Sequence, residues 1–142
     1  MSCDNRYTPS LATVVEQNDM TATTILVVDD EFFLTEIMTD AFAEDGFEVV
    51  VANDGASAMA IIDNATVPIA ALVTDINMGP GANGWTVARR ARKVQPGLPV
   101  VYTTGGAAHE WVANGVTASV LVTKPFPVSE VVGAVHGLLT AR

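Results

Sequence analysis

Three short apolar runs, each ending abruptly in polar residues, limit what this chain can fold into. Ile25-Leu26-Val27-Val28 leads into Asp29-Asp30-Glu31, Ala70-Ala71-Leu72-Val73-Thr74 into Asp75, and Val120-Leu121-Val122-Thr123 into Lys124-Pro125. Runs this short and this uniformly apolar read as strands buried on both faces, the kind that parallel sheets require. Two further runs bring the predicted strands to five, near residues 24–29, 47–52, 70–75, 99–103 and 118–123, alternating with helical segments. Strict alternation predicts an α/β fold: a doubly wound parallel sheet with right-handed crossovers and helices on both faces. The carboxyl ends of such strands share one edge of the sheet, where open α/β sheets carry their sites.

The first helix is expected near 31–45, with Leu34, Ile37, Met38, Ala41 and Phe42 on its buried face and Gly46 as its stop. The last is expected near 127–140, opened by Pro127 and striped with Val128, Val131, Val132, Val135, Leu138 and Leu139. Helices near 54–64 and 84–95 lie between. From Gly105 to Thr117, only Ala107 to Ala113 can make a helix before the turn pair Asn114-Gly115, so the fourth helix should be short and mobile. Residues 23–142 read as one domain without internal repeats, and residues 1–22, dominated by Asn, Asp, Thr and Ser, as a flexible N-terminal tail.

A chain of 142 residues that is 49% hydrophobic can bury a core of its own. Its net charge of −9 argues against a nucleic-acid partner, because such binding rests on neutralising phosphates. Arg89, Arg90, Arg92 and Lys93 crowd into five positions and read as a solvated helix face in preference to a docking patch for an acidic partner. The lone cysteine, Cys3, excludes an internal disulfide and fits a reducing compartment. No apolar run approaches the ~20 residues that span a bilayer, and the first residues lack a secretory layout. The expectation is a cytoplasmic protein with no membrane partner.

Asp29, Asp30 and Asp75 end the first and third strands, which are neighbours where a doubly wound sheet changes direction, so their carboxylates should converge. Like charges so close repel, and a hard divalent cation such as Mg²⁺ relieves the repulsion while keeping waters and a phosphate oxygen. Asp75 would then approach a phosphoryl group as a nucleophile and form an acyl phosphate. Lys124 supplies a point charge for the phosphoryl oxygens. Thr104, at the end of Tyr102-Thr103-Thr104-Gly105, offers a hydroxyl, and the glycines after it would let the backbone approach closely. His109 and His136 lack a partner histidine at ligand spacing and read as ordinary histidines. Trp85 and Trp111 read as packing residues, with partner contact open for Trp111. The glycine runs lack the lysine-serine pattern of a nucleotide-binding loop.

These residues resemble the receiver domain of two-component response regulators over roughly residues 23–141. The signatures are Ile25 through Glu31, Leu72-Val73-Thr74-Asp75-Ile76-Asn77-Met78, Asn83-Gly84-Trp85, Leu98 through Gly105, and Lys124-Pro125-Phe126. The resemblance implies a flavodoxin-like sheet of order 2-1-3-4-5. It implies Asp75 as phosphoacceptor, and Asp29 and Asp30 as the acidic pair that organises Mg²⁺ together with the Asn77 backbone carbonyl. It also implies Thr104 as the switch hydroxyl, Lys124 as the family's lysine, and a cis bond at Lys124-Pro125. A histidine kinase or a histidine phosphotransfer protein would be the donor.

Three positions depart from the family pattern. Leu121 stands where an aromatic switch residue is usual, which removes the usual coupling of threonine to a rotating ring. The loop Met78 to Gly84 is one residue longer than common and glycine-rich, and Gly106 replaces a side chain two positions after Thr104. Together these features resemble a subgroup with a Phe-Ala-Thr-Gly-type motif, often stand-alone regulators of alphaproteobacteria paired with atypical histidine kinases.

The leading expectation is a stand-alone phosphoacceptor with no output domain, a monomer or weak dimer that signals through protein contact with an unknown downstream partner. The expected contact surface combines residues 105–117, the fifth strand and the last helix. A phosphate sink for a shared kinase is the alternative. An aspartate-nucleophile phosphatase of the haloacid dehalogenase type would want Asp-x-Asp after its first strand and a cap insertion. A non-phosphorylated pseudo-receiver is disfavoured by the presence of Asp30, Asp75, Thr104 and Lys124 together.

Overall fold

The computed structural model describes residues 23–65 and 68–141. The tail expected over residues 1–22 lies outside the described residues. Five strands form one parallel sheet: β1 (Thr24–Val28), β2 (Glu48–Ala52), β3 (Ala71–Asp75), β4 (Val100–Thr104) and β5 (Ser119–Thr123). Their order is β2-β1-β3-β4-β5, the doubly wound arrangement expected from the alternation. Every residue of β3 and β4 is buried, which is why these runs are apolar throughout.

The helices are α1 (Phe32–Glu44), α2 (Gly55–Asn64), α3 (Gly84–Val94), α4 (Trp111–Asn114) and α5 (Val128–Thr140), with a 3-10 turn at Ala108–Glu110 before α4. Asp54 caps α2 by accepting from the Ser57 amide at 2.7 Å, and Asn83 caps α3 by accepting from the Thr86 amide at 3.0 Å. Gly46 closes α1 at φ +89°, a conformation that side chains resist. Pro127 is the N-cap of α5, one residue earlier than the expected first-turn place.

Two apolar layers sandwich the sheet. Leu26, Val28, Leu72, Val100 and Tyr102 pack with Ala58 and Ile62 of α2 and with Trp85, Val87, Ala88 and Ala91 of α3. Ile25, Val27, Val73 and Val101 pack with Met38 and Phe42 of α1 and with Val131 and Val135 of α5. One expectation for α1 fails. Ile37 is 51% exposed, and the inward positions are Thr35, Met38 and Phe42. Successive helical residues are offset by about 100°, so Ile37 falls beside a stripe that α5 and the sheet cover only narrowly.

The basic stretch of α3 makes ties between elements beyond a merely solvated face. Arg90 pairs with Asp63 at 2.8 Å, Arg89 donates to the Asn114 carbonyl at 3.0 Å, and Arg92 donates to the Leu98 carbonyl at 2.6 Å. Trp85 is buried as a packing residue, and His136 pairs with Asp45 at 2.9 Å on the surface. Among the described residues no helix is long and apolar enough to cross a membrane.

Candidate functional site

β1 and β3 run side by side with Val28 opposite Thr74, which carries Asp29, Asp30 and Asp75 to the same edge of the sheet. One carboxylate oxygen from each lies within 4.8 Å of the others. Asp29 is buried and Asp75 only 6% exposed, whereas Asp30 faces solvent. Two backbone amides orient the buried pair: Glu31 N donates to Asp29 Oδ1 at 2.8 Å and Ile76 N to Asp75 Oδ1 at 2.9 Å.

Lys124 reaches into this cluster from the residue after β5, and the bond that follows it, Lys124-Pro125, is cis. Its Nζ lies 3.3 Å from Asp29, 3.4 Å from Asp75 and 3.6 Å from Glu31. Burial pushes the Asp75 carboxyl up to about 6, with the charge of Asp29 adding to the rise and Lys124 and the Ile76 amide opposing it. Asp29 is likewise raised by burial, against the Glu31 amide and Lys124. Burial disfavours the Lys124 ammonium, yet the charges of Asp29 and Asp75 outweigh it and hold its pKa above the ordinary lysine value. One ammonium therefore serves more carboxylates than it can neutralise. The donor set is all oxygen and its uncompensated charge is negative, which fits a hard divalent cation.

Thr104 is buried at the end of β4, and its Oγ1 accepts from the amides of Gly106 at 3.2 Å and Ala107 at 2.8 Å. At Gly105 and Gly106 a Cβ would meet no other part of the protein within 4 Å. At Gly84, by contrast, a Cβ would collide with the Asp75 carbonyl and with the backbone of Ile76. Gly84 N also donates to the Ile76 carbonyl at 2.9 Å, so α3 begins pressed against the chain just after the phosphoacceptor candidate. Asn77 is exposed at the mouth of the site. In the loop before α3, Gly79 and Gly81 take φ +86° and +99°, left-handed values that account for its glycines.

Three participants escaped sequence reasoning. Glu31 was part of a motif but had no role until its pairing with Lys124 appeared. Tyr102 is fully buried, its ring 4.8 Å from that of Trp85, and its Oη accepts from the Val116 amide at 3.1 Å. Thr103 carries a buried hydroxyl with no hydrogen-bond partner among the described residues.

A family model described as the response regulator receiver domain matches residues 25–136. The chain belongs to the response regulator receiver domain family. The probable transcriptional regulatory protein TcrX of Mycobacterium tuberculosis is 38% identical over 118 residues, covering 82% of this receiver chain and 49% of that protein. Over 102 residues, 72% of the chain, it is 31% identical to the sensor histidine kinase RcsC of Escherichia coli, covering 10% of that protein. A response regulator receiver protein from Sinorhizobium medicae is 38% identical in its solved structure, with a TM-score of 0.81, covering 87% of this chain and 98% of that one. The response regulator TrrA of Thermotoga maritima, solved in complex with Mg²⁺ and BeF, is 29% identical with a TM-score of 0.70, covering 82% and 99%. The receiver chain spans about half the length of the curated regulators it matches, at 49% and 44%.

Proposed function

We propose that this receiver accepts a phosphoryl group on Asp75 from a histidine kinase or a histidine phosphotransfer protein. The observation that carries the reading is the buried Asp75 carboxylate, within 4.8 Å of two further carboxylates and 3.4 Å from the Lys124 ammonium. Asp29, Asp30 and Asp75, with the Asn77 backbone carbonyl, are the residues that would hold Mg²⁺. Bound there, the cation neutralises the carboxylates and the incoming phosphoryl oxygens. An oxygen of Asp75 forms a bond to phosphorus while the phosphorus–nitrogen bond of the donor phosphohistidine breaks, its electron pair staying on the imidazole. Lys124 offsets charge on the phosphoryl oxygens, and Thr104 donates its hydroxyl proton to one of them. Phe32 and Phe33, 63% and 81% exposed at the start of α1, lie just past Glu31 and support a protein as donor.

The output we read is protein contact through residues 105–117, β5 and α5. A phosphate sink uses the same chemistry and differs only in lacking that contact. A mass measurement tests the reading. After incubation with Mg²⁺ and acetyl phosphate, the wild-type chain should gain one phosphoryl mass and Asp75→Asn none. An unmodified wild type, or a modified variant, would overturn the assignment, and steady turnover of phosphomonoesters would favour a phosphatase.

A further inference from the structure

Two hydroxyls on one face of β4 hold opposite ends of the segment that follows it. Thr104 Oγ1 takes the near end through the amides of Gly106 and Ala107. Tyr102 Oη takes the far end through the amide of Val116, at 3.1 Å and 14 positions away in sequence. Residues two apart on a strand point to the same side, so both grips belong to one rigid surface. Between them, neither the 3-10 turn nor α4 fully buries a residue, and the one side chain of α4 packed against the core is Trp111, at its start.

The two ends are held unequally. At the far end, Trp111 Nε1 donates to Ser119 Oγ at 3.0 Å, which in turn donates to the Val116 carbonyl at 2.7 Å. The Trp111 indole lies where a Cβ of Gly115 would sit, which requires glycine there. Tyr102 itself is wedged against Trp85 in the core. At the near end the hold is Thr104 and one small buried methyl, that of Ala107.

We propose that Tyr102 anchors a pivot. When Thr104 turns toward Asp75, it carries residues 105–110 with it while Tyr102 and Trp111 keep the far end in place. The segment swings about Val116 and β5 stays still. Leu121, registered opposite Tyr102, offers no ring to rotate and the swing needs none. This inference rests on the phosphoacceptor reading, which supplies the reason for Thr104 to move.

Backbone amide hydrogen exchange on the full chain, with and without Mg²⁺ and beryllofluoride, tests it. In wild type, activation should alter exchange across 105–110 and leave the Val116 amide protected. Without ligand, Tyr102→Phe should speed exchange at Val116 roughly fivefold, the loss of one hydrogen bond, and leave Gly106 and Ala107 unchanged. Thr104→Val should do the reverse. Activated Tyr102→Phe should spread its changes into β5, while acetyl phosphate still labels Asp75 in that variant. Loss of Val116 protection on activating wild type, or wild-type exchange at Val116 in Tyr102→Phe, overturns the pivot. If beryllofluoride leaves residues 29–31 and 75–77 unmoved, the phosphoacceptor reading fails, and the unliganded variants separately decide whether Tyr102 is an anchor.

Discussion

Replacing Asp75 by Asn should stabilise the metal-free protein at neutral pH. Asp75 is 6% exposed, and burial together with Asp29 raises its carboxyl from 3.8 to about 6. A raised carboxyl means that the folded state binds the proton more tightly than the unfolded one. The resulting stability is fully present below about pH 4 and is lost as pH climbs through about 6. A shift of roughly two units corresponds to about 3 kcal/mol of strain carried by the ionised carboxylate at pH 7. Asn keeps the shape, can still accept from the Ile76 amide, and leaves Lys124 paired with Asp29. Urea unfolding in EDTA should therefore show the variant more stable by about 3 kcal/mol at pH 7 and by about 1 kcal/mol at pH 4.5. Saturating Mg²⁺ should close the gap by stabilising wild type selectively. A variant no more stable than wild type at pH 7, or a gain independent of pH, would refute the argument that the pocket stores repulsion.

Two further substitutions probe the surroundings of the site. Thr103→Val removes a buried hydroxyl that lacks a partner among the described residues and should stabilise by about 1 kcal/mol in the same assay; a loss would mean that a buried water satisfies the group. Gly84→Ala forces a methyl into the Asp75 carbonyl and should cost about 2 kcal/mol or more. Acetyl phosphate labelling of that variant should also slow, and labelling at the wild-type rate would show that α3 can recede without disturbing Asp75.

The acidic cluster was legible in the sequence because strand ends are legible. Apolar runs that stop at Asp29, Asp75 and Lys124 place those side chains on one edge of a parallel sheet without any knowledge of side-chain packing. What could not be read depends on distances between elements. The width of the buried stripe on α1, which leaves Ile37 outside, is set by where α5 lies. Glu31 meets Lys124 only because β1 and β5 end at the same height. Tyr102 looked like an ordinary core ring, since its hydroxyl finds a partner only after the chain has turned back at Gly115. Gly84 carried a motif, yet the collision that demands glycine appears only when α3 is laid against Ile76.

The short stretch from Ala108 to Asn114 buries no residue fully; Trp111 packs against the core, and Val112 beside it is 94% exposed. Substitutions at its outward positions, away from Trp111 and Asn114, are judged by what they touch outside the molecule and hardly by whether the molecule folds. Those outward positions are thus free to diverge between duplicated copies, so the outer face of the stretch can change while the acidic pocket is left untouched.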